Sequence, residues 1–381
     1  MAMDRLFQLM KEKNASDMFF AVNSPVHIKI NGNLIPINQQ KLDSDNINAL
    51  LAEICSPEQI AELYSTNELN MGVSAPNLGR FRLSAFRQRG SISAVFRFIP
   101  AIVPVLGELS LPPVLAELIM EKRGLLLLVG STGSGKSTTI ASMLDHRNEL
   151  RSGHILTLED PIEYLFKHKK SIVNQREIGS DAKDFYTALR NSMRQAPDCI
   201  LIGEIRDKET MAAALAYAQS GHLVLATLHA NNSYNALNRI ISFYPIENRA
   251  ALLQDLSSTI KAIVSQRLVR SINGGTRTAA VEVMLNTRHI SDLIEKGEIG
   301  QIKEAMEKSM SPGSQSFELA LLRLVKDGAI SQEEALANAD SASNLLWLLN
   351  NGPDSKNAQS TEEAPAKVSD ETSFTEFTLN T

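Results

Sequence analysis

One short segment of this chain has the composition and spacing of a phosphate-binding loop. Residues 130–137 spell GSTGSGKS, which fits the pattern G-x-x-x-x-G-K-[ST], and an apolar run at 125–129 comes directly before them. The glycines permit backbone conformations that a side chain would block, so that successive N–H groups can face an anion at the start of the following helix. We therefore expect this segment to bind a nucleoside triphosphate. An ordinary glycine loop between a strand and a helix is the alternative.

Two side chains of this segment have separate tasks in such a site. Lys136 would reach the β- and γ-phosphates, and the hydroxyl of Ser137 would bind Mg²⁺. ATP and Mg²⁺ are therefore the expected substrate and metal cofactor. The other predicted members of the nucleotide site in this segment are Gly130, Ser131, Thr132, Gly133, Ser134, Gly135 and Thr138.

An acidic residue follows a second apolar run. Residues 199–203 spell CILIG, and Glu204 comes next. In P-loop ATPases we expect such a strand to lie beside the strand of the phosphate loop, where its acid holds Mg²⁺ through water or polarises the attacking water. We predict Glu204 to be the catalytic base. A solvated strand terminus is the alternative interpretation.

Carboxylates also cluster after the run at 154–158. Glu159, Asp160 and Glu163 lie within five residues of one another, and they repel unless cations or hydrogen-bond donors compensate their charge. A Mg²⁺-ATP site supplies the cation. A charged surface turn explains the same cluster equally well.

Two histidines bracket a third apolar run. His222 and His229 stand on either side of the segment LVLATL at 223–228. Together they could sense a γ-phosphate or a subunit contact, whereas a lone histidine is more often a structural residue.

Arginines accumulate in the first hundred residues. An arginine delivered from another domain or subunit can stabilise the charge that develops on the γ-phosphoryl oxygens. By pattern alone, the simpler interpretation is that these arginines decorate the polar face of two strands. They are Arg80, Arg82, Arg87, Arg89 and Arg97.

The elements that must position these residues fall into two regions. The first hundred residues predict an α+β unit, with a hairpin around Asn31-Gly32 and alternating apolar and polar residues over 79–86. Prolines punctuate a linker at 100–114, and from 115 to 351 apolar runs alternate with helical sequence, which predicts a parallel sheet wrapped by helices. The tail at 352–381 has few large apolar residues, so we expect it to be disordered.

Composition narrows the function classes. The chain has 381 residues, of which 43% are hydrophobic, and its apolar runs are much shorter than a membrane span. The only cysteines are Cys55 and Cys199, which form no C-x-x-C pair, so a disulfide framework is not expected and a reducing cytoplasm is the simplest compartment. The acidic tail carries −4 of the net charge of −5, and a nearly neutral body argues against nucleic acid as the main partner.

Four sequence blocks resemble the secretion-superfamily ATPases, in the twitching-motility branch of the PilT/PilU family. The resemblance extends over about residues 3–350. It implies a PAS-like N-terminal domain at 1–99, a RecA-like ATPase domain at 115–351, a homo-hexameric ring and an ATP site completed by a neighbouring subunit. The blocks are GSTGSGKST from residue 130, LEDPIEY from 158, ILIGEIRD from 200 and GHLVLATLHANN from 221.

The resemblance also implies a role for each matching residue. Lys136 and Ser137 fall at the phosphate and Mg²⁺ positions, and Glu204 falls at the catalytic base. Arg82 and Arg97 match the arginine fingers, in the contexts RFRLSAF and VFRFIP. The acidic box holds Glu159 and Glu163, with Glu163 acting on Mg²⁺ partly through water, and the histidine box holds His222 and His229.

One departure separates the branches of the family. PilT members carry the motif AIRNLI, whereas residues 289–294 here spell HISDLI, with Ser291 in the arginine position. The chain is therefore closer to the PilU members, which implies an accessory retraction motor that works with a PilT-like ATPase and an inner-membrane platform protein, and contacts the membrane only through partners. An ATP-binding scaffold with little turnover is the main alternative, and a DNA-pumping ring is a further one.

Overall fold

A computed structural model describes residues 2–30, 32–76, 78–99, 102–272, 274, 276–309 and 311–351. The predicted disordered tail at 352–381 lies outside these residues. Among the described helices, none is both long enough and apolar enough to cross a membrane.

The N-terminal region folds around an antiparallel sheet. Its strands lie in the order β3-β2-β1-β6-β5-β4. The strands are β1 (Asp17–Phe20), β2 (Pro25–Ile30), β3 (Asn33–Lys41), β4 (Glu68–Ala75), β5 (Gly79–Gln88) and β6 (Ser91–Ile99). The helices are α1 (Ala2–Glu12), α2 (Ser44–Ala52) and α3 (Pro57–Thr66). The α+β arrangement and the predicted hairpin between β2 and β3 are confirmed.

The alternation along β5 explains how this sheet acquires a core. Phe81 and Leu83 are fully buried, whereas the arginines between and beside them are only partly covered. The ring of Phe7 on α1 stacks on Phe81 with centroids 4.0 Å apart, a contact that adds to the burial of both rings. The polar face of β5, with Arg80 and Arg82, is thereby left free to meet other parts of the protein.

The C-terminal region contains a second, mostly parallel sheet. A short turn at Leu106–Glu108 and helix α4 (Val114–Leu118) lead into it. Its strands lie in the order β13-β12-β7-β11-β10-β8-β9, and only β13 runs antiparallel to its neighbour. They are β7 (Gly124–Val129), β8 (Gly153–Glu159), β9 (Ser171–Glu177), β10 (Cys199–Ile202), β11 (Leu223–Leu228), β12 (Ile260–Arg270) and β13 (Arg277–Leu285).

Helices cover both faces of this sheet, which is why its central strands β7, β10 and β11 are mostly apolar. Residues Leu125 and Leu127 of β7 belong to one core cluster and Leu126 and Leu128 to another on the opposite face. The helices around the sheet are α5 (Lys136–Leu150), α6 (Phe185–Ser192), α7 (Lys208–Gln219), α8 (Ser233–Ser242) and α9 (Ile246–Thr259). Those that follow it are α10 (Arg288–Lys296), α11 (Ile302–Glu307), α12 (Phe317–Lys326), α13 (Gln332–Asn338) and α14 (Ala342–Asn351).

One sequence expectation about this sheet is wrong. The strand that precedes Glu204, β10, does not lie beside β7, because β11 pairs with both of them and separates them. All three runs are fully apolar and were equally suited to a central position, so their order could not be deduced from composition. The strand bracketed by His222 and His229 is therefore the one that joins the phosphate loop to the Glu204 strand.

Candidate nucleotide site

The predicted phosphate loop connects β7 to α5 with a backbone that only glycine tolerates at two points. Gly135 has a φ of 91° and is the residue before the first turn of α5. A Cβ at Gly135 would stand 2.7 Å from Nε2 of Gln266, and a Cβ at Gly130 would stand 2.6 Å from the Gln266 carbonyl oxygen. The loop is thus packed against β12, and its shape depends on the missing side chains.

A cavity of about 380 Å³ opens above this loop at the carboxyl edge of the sheet. It brings together residues from all four predicted blocks of the ATPase region, because the carboxyl ends of parallel strands meet at one edge. The predicted site residues that line it are Thr132, Gly133, Lys136, Ser137, Glu159, Glu163, Glu204 and His229. Convergence of these residues from separate parts of the sequence defines the candidate site.

The ammonium group of Lys136 lies at the loop itself. Its Nζ donates to the carbonyl oxygens of Gly130 at 2.8 Å and Ser131 at 2.9 Å. Burial lowers the pKa of Lys136, and the charges of Glu204 and Glu163 oppose that shift. The cation is therefore held inside the phosphate loop with carboxylates across the cavity.

The donors around the loop fit a phosphorylated ligand and the metal that accompanies it. The hydroxyl of Ser134 is buried and has no hydrogen-bond partner among the described residues. Ser137 lines the cavity beside it, whereas the neighbouring Thr138 hydroxyl lies 2.9 Å from the hydroxyl of Tyr164. No group of three or more His, Cys, Asp or Glu in the described ranges is arranged to hold a metal. The oxygen atoms of Ser137 and Glu163, which both line the cavity, are donors of the kind that fits Mg²⁺.

Two side chains contact Glu204, one at each carboxylate oxygen. Nε of Arg206 donates to its Oε2 at 2.6 Å, and Nε2 of His229 lies 3.3 Å from its Oε1. Arg206 also approaches Asp160 at 3.7 Å. The hydrogen bond to Glu204 raises the pKa of Arg206.

In the acidic segment, residues 159–163, hydrogen-bond donors offset the repulsion between carboxylates. Glu159 is almost fully buried and accepts from Oγ1 of Thr157 at 2.7 Å and from Nε2 of Gln175 at 3.1 Å. Burial nevertheless raises the pKa of Glu159. Asp160, by contrast, is half exposed beside Arg206. These two neighbouring carboxylates therefore occupy distinct environments.

Three predicted site residues lie away from this cavity within one chain. His222 stands at the opposite end of β11 from His229, with Nδ1 3.1 Å from the carbonyl oxygen of Tyr217. Arg82 and Arg97 face each other on β5 and β6 of the N-terminal sheet. Nε of Arg97 donates to Oδ1 of Asp17 at 2.8 Å. Their predicted roles stay predictions.

Sequence reasoning missed Gln266, which supports the loop from β12. This side chain is buried, and its Oε1 accepts from the Thr139 hydroxyl on α5 at 2.8 Å. The available signal was a long amide side chain after the apolar residues of β12, since a buried amide needs partners. Arg206 was also missed, although it stands within the quoted ILIGEIRD block.

A parallel sheet covered on both faces, a glycine loop at one strand end and an acid at another define a P-loop ATPase. The model of the family described as "Type II/IV secretion system protein" matches residues 2–336. The chain belongs to this family.

Two curated relatives from Pseudomonas aeruginosa specify the branch. The chain is 44% identical to the type IV pilus ATPase PilU over 93% of each chain. It is 38% identical to the retraction ATPase PilT over 89% of this chain and 98% of the relative. The predicted resemblance to the PilT/PilU family, closer to PilU, is confirmed.

Solved structures agree with the fold. The crystal structure of the pilus retraction motor PilT with bound ADP covers 90% of this chain and 98% of its own, with 37% identity and a TM-score of 0.84. The ATPase DotB of Legionella pneumophila follows with 28% identity, a TM-score of 0.78 and coverage of 88% of this chain and 94% of its own. The chain is therefore a nucleotide-binding ATPase of the pilus-retraction branch.

Proposed function

We propose that this chain is an accessory motor of type IV pilus retraction that hydrolyses ATP in the cavity at the carboxyl edge of the second sheet. The observation that carries the proposal is the convergence of Lys136, Glu204 and His229 on that one cavity. The similarity to PilU supports the accessory role. In the proposed organisation, residues 1–99 and 115–351 are two domains joined by a linker at 100–114.

The loop binds the nucleotide through its backbone N–H groups and Lys136. The ammonium of Lys136 exchanges its carbonyl partners, Gly130 and Ser131, for β- and γ-phosphate oxygens, which are stronger acceptors. Ser137 and Glu163 would hold Mg²⁺, with Glu163 acting partly through water. When bound, Mg²⁺ neutralises charge on the phosphates.

Glu204 accepts the proton of the attacking water. For that step, a lone pair of one carboxylate oxygen must face the water, and this oxygen accepts more readily if it loses its present partner, Arg206 at 2.6 Å or His229 at 3.3 Å. His229 is the partner with the longer contact, and a γ-phosphate oxygen is an alternative acceptor for its ring N–H. This exchange gives His229 the role of a phosphate sensor.

The residues that lie outside the cavity suit contacts between subunits. Arg82 and Arg97 are cross-strand neighbours on β5 and β6 of the N-terminal sheet, and Arg97 is two-thirds exposed despite its bond to Asp17. In a hexamer these arginines would act on the nucleotide of a neighbouring subunit. His222, which lies at the far end of β11, would do the same. The proposed partners are further copies of the chain, a PilT-like ATPase and a platform protein at the cytoplasmic face of the inner membrane, with no nucleic acid.

One observation favours a second candidate, an ATP-binding scaffold with little turnover. Both carboxylate oxygens of Glu204 are engaged by Arg206 and His229. If nucleotide binding leaves both contacts in place, Glu204 is a weaker acceptor for the proton of the water. The chain would then transmit force from a PilT-like ring without hydrolysing ATP at a useful rate.

Steady-state Mg-ATPase activity distinguishes the two. The parent is measured beside Lys136→Ala and beside Lys122→Ala, an exposed lysine outside the cavity, first alone and then with a PilT-type partner. Activity that depends on Lys136 without partner supports a self-sufficient motor, and activity that appears only with partner supports an accessory subunit. If the ATPase activity of Lys136→Ala still equals that of the parent when partner is present, the ATP-binding scaffold is the supported function. Stimulation by DNA would contradict the pilus assignment.

A further inference from the structure

Glu177 is a buried carboxylate at which both sheets meet. It is the last residue of β9, at the edge of the second sheet, and its side chain is only 2% exposed. Two of its donors belong to the N-terminal sheet. Nη2 of Arg80 donates to Oε2 at 2.6 Å, and the N–H of Gly72 donates to Oε1 at 3.0 Å. A charge this deeply buried requires such partners.

The junction is built around a missing side chain. A Cβ at Gly72 would stand 2.8 Å from Oε1 of Glu177 and 2.2 Å from Nη2 of Arg80. Both atoms are the ends of side chains, and each is hydrogen-bonded across the junction, so a shift that relieves the overlap disturbs those bonds. Alanine at position 72 would therefore separate β4 from Glu177 without changing any charge.

The same carboxylate also holds the wall of the nucleotide cavity. Oε2 of Glu177 accepts from the N–H of Ile162 at 3.1 Å. Ile162 lies between Pro161 and Glu163, and both of these line the cavity. One oxygen atom thus receives a donor from the acidic segment and a donor from Arg80 of the N-terminal sheet.

From this geometry we propose that Glu177 is a positioning residue that couples the acidic segment of the nucleotide site to the N-terminal sheet. A displacement of Ile162 weakens one of the bonds that neutralise a buried charge, and the bonds to Arg80 and Gly72 must adjust with it. Conversely, release of the N-terminal sheet removes the support of the cavity wall. The inference rests on the proposed binding of nucleotide in this cavity.

Arg80 carries a further sign that this junction has a second arrangement. Its Nε is buried and has no hydrogen-bond partner among the described residues. A buried donor without a partner is costly to retain. A shift of the N-terminal sheet relative to Glu177 would give this atom a new partner or expose it to water.

Nucleotide affinity tests the coupling, since a coupling free energy acts equally in both directions. ADP binding to the full chain is measured by calorimetry for the parent, Gly72→Ala, Arg80→Gln and Arg80→Lys. We expect Gly72→Ala and Arg80→Gln to weaken ADP binding by roughly fivefold or more, although neither residue lines the cavity. Arg80→Lys keeps the charge and should recover part of the loss. An unchanged or tighter Kd in both variants overturns the proposal.

A matched variant separates coupling from loss of stability. Lys303→Gln breaks another ion pair to a buried carboxylate, that of Glu318 at 2.8 Å, but this pair lies within the C-terminal region. It should lower the melting temperature without changing the Kd for ADP. If it weakens ADP binding as much as Gly72→Ala does, the effect is general destabilisation and the proposal is wrong.

Hydrogen exchange separates failure of this inference from failure of the proposed function. In the parent, ADP should protect α5 and change the exchange of β4 and β5. In Gly72→Ala at saturating ADP, α5 should still be protected while β4 and β5 no longer respond. A response of β4 and β5 equal to the parent contradicts the coupling alone, whereas absence of α5 protection in the parent contradicts nucleotide binding itself.

Discussion

Arg206 and Glu204 form a short ion pair across one intervening residue, with Nε of Arg206 2.6 Å from Oε2 of Glu204. The side chain of Glu204 is 22% exposed and that of Arg206 is 62% exposed, so solvent weakens the attraction between them. The Glu204 carboxylate therefore has a charged partner that a ligand can displace at little cost. The proposed role of Glu204 as the base requires such a partner, since the carboxylate must become free to take a proton during the reaction.

Glu204→Gln should abolish turnover and preserve binding. The amide retains the size of the side chain but cannot accept a proton, and we expect the rate of ATP hydrolysis to fall by roughly 100-fold or more. ADP affinity should change little, because Lys136 and the loop N–H groups are intact. Phosphate release and calorimetry measure the two quantities. Glu209→Gln, an exposed acid in the first turn of α7, is the control. Hydrolysis at the parent rate would remove Glu204 as the base.

Thr139 and Gln266 should show coupled effects on stability. Each is buried, and the Thr139 hydroxyl donates to the Gln266 amide. Thr139→Val or Gln266→Leu alone leaves a polar partner unsatisfied, at roughly 1–3 kcal/mol. The double variant should be less destabilised than the sum of the two by about 1 kcal/mol. Urea unfolding of the parent and the three variants measures this difference, and strict additivity would show that the bond contributes nothing.

Two glycines of the phosphate loop should respond differently to alanine. Gly133 and Gly135 have similar positive φ values, 77° and 91°, so backbone strain is comparable. No atom lies within 4 Å of a Cβ at Gly133, whereas a Cβ at Gly135 meets Nε2 of Gln266 at 2.7 Å. Gly135→Ala should therefore be less stable than Gly133→Ala by roughly 1–3 kcal/mol. Thermal unfolding without nucleotide makes the comparison, and equal melting temperatures would contradict it.

Glu282 should give stability a pH dependence. Burial raises the pKa of Glu282 from 4.5 to about 7. Between these values the folded protein retains a proton that the unfolded chain has released, so stability falls as pH rises through this window, by about 3 kcal/mol in total.

Glu282→Gln should remove that loss. An amide oxygen can still accept from the N–H of Ser233 and the hydroxyl of Ser265, which now bond to Oε1 at 2.7 and 2.8 Å. The melting temperature of the variant relative to the parent should rise steadily from pH 5 to pH 8. Glu298→Gln, at an exposed position, should show no such trend. A relative melting temperature that is constant with pH would refute the assignment.

Local sequence was sufficient to predict the elements that carry chemistry. Each of these elements is specified within about ten residues of chain. They are the glycines at 130, 133 and 135, the apolar run before them and the acid after β10. The alternation on β5 and the hairpin before β3 are local in the same sense. These features therefore predicted both the parallel sheet and the position of Lys136 and Glu204 at its edge.

Relationships between distant segments were not predictable in this way. The order of β7, β11 and β10 depends on which apolar run pairs with which, and the three runs are alike in composition. The bond from Gly72 to Glu177 spans 105 positions, and neither residue is unusual in its own sequence context. Both cases are settled by packing, which no short window of sequence contains.

The requirement for glycine at position 72 should be visible in the sequences of homologues. Because a side chain there would overlap Glu177 and Arg80, any homologue with a larger residue at this position must join its two sheets differently. An alignment of the family should therefore show glycine at 72, an acid at 177 and arginine at 80 present or lost as a set. Position 72 would then sort family members by how their N-terminal sheet is attached, independently of the motifs that bind nucleotide.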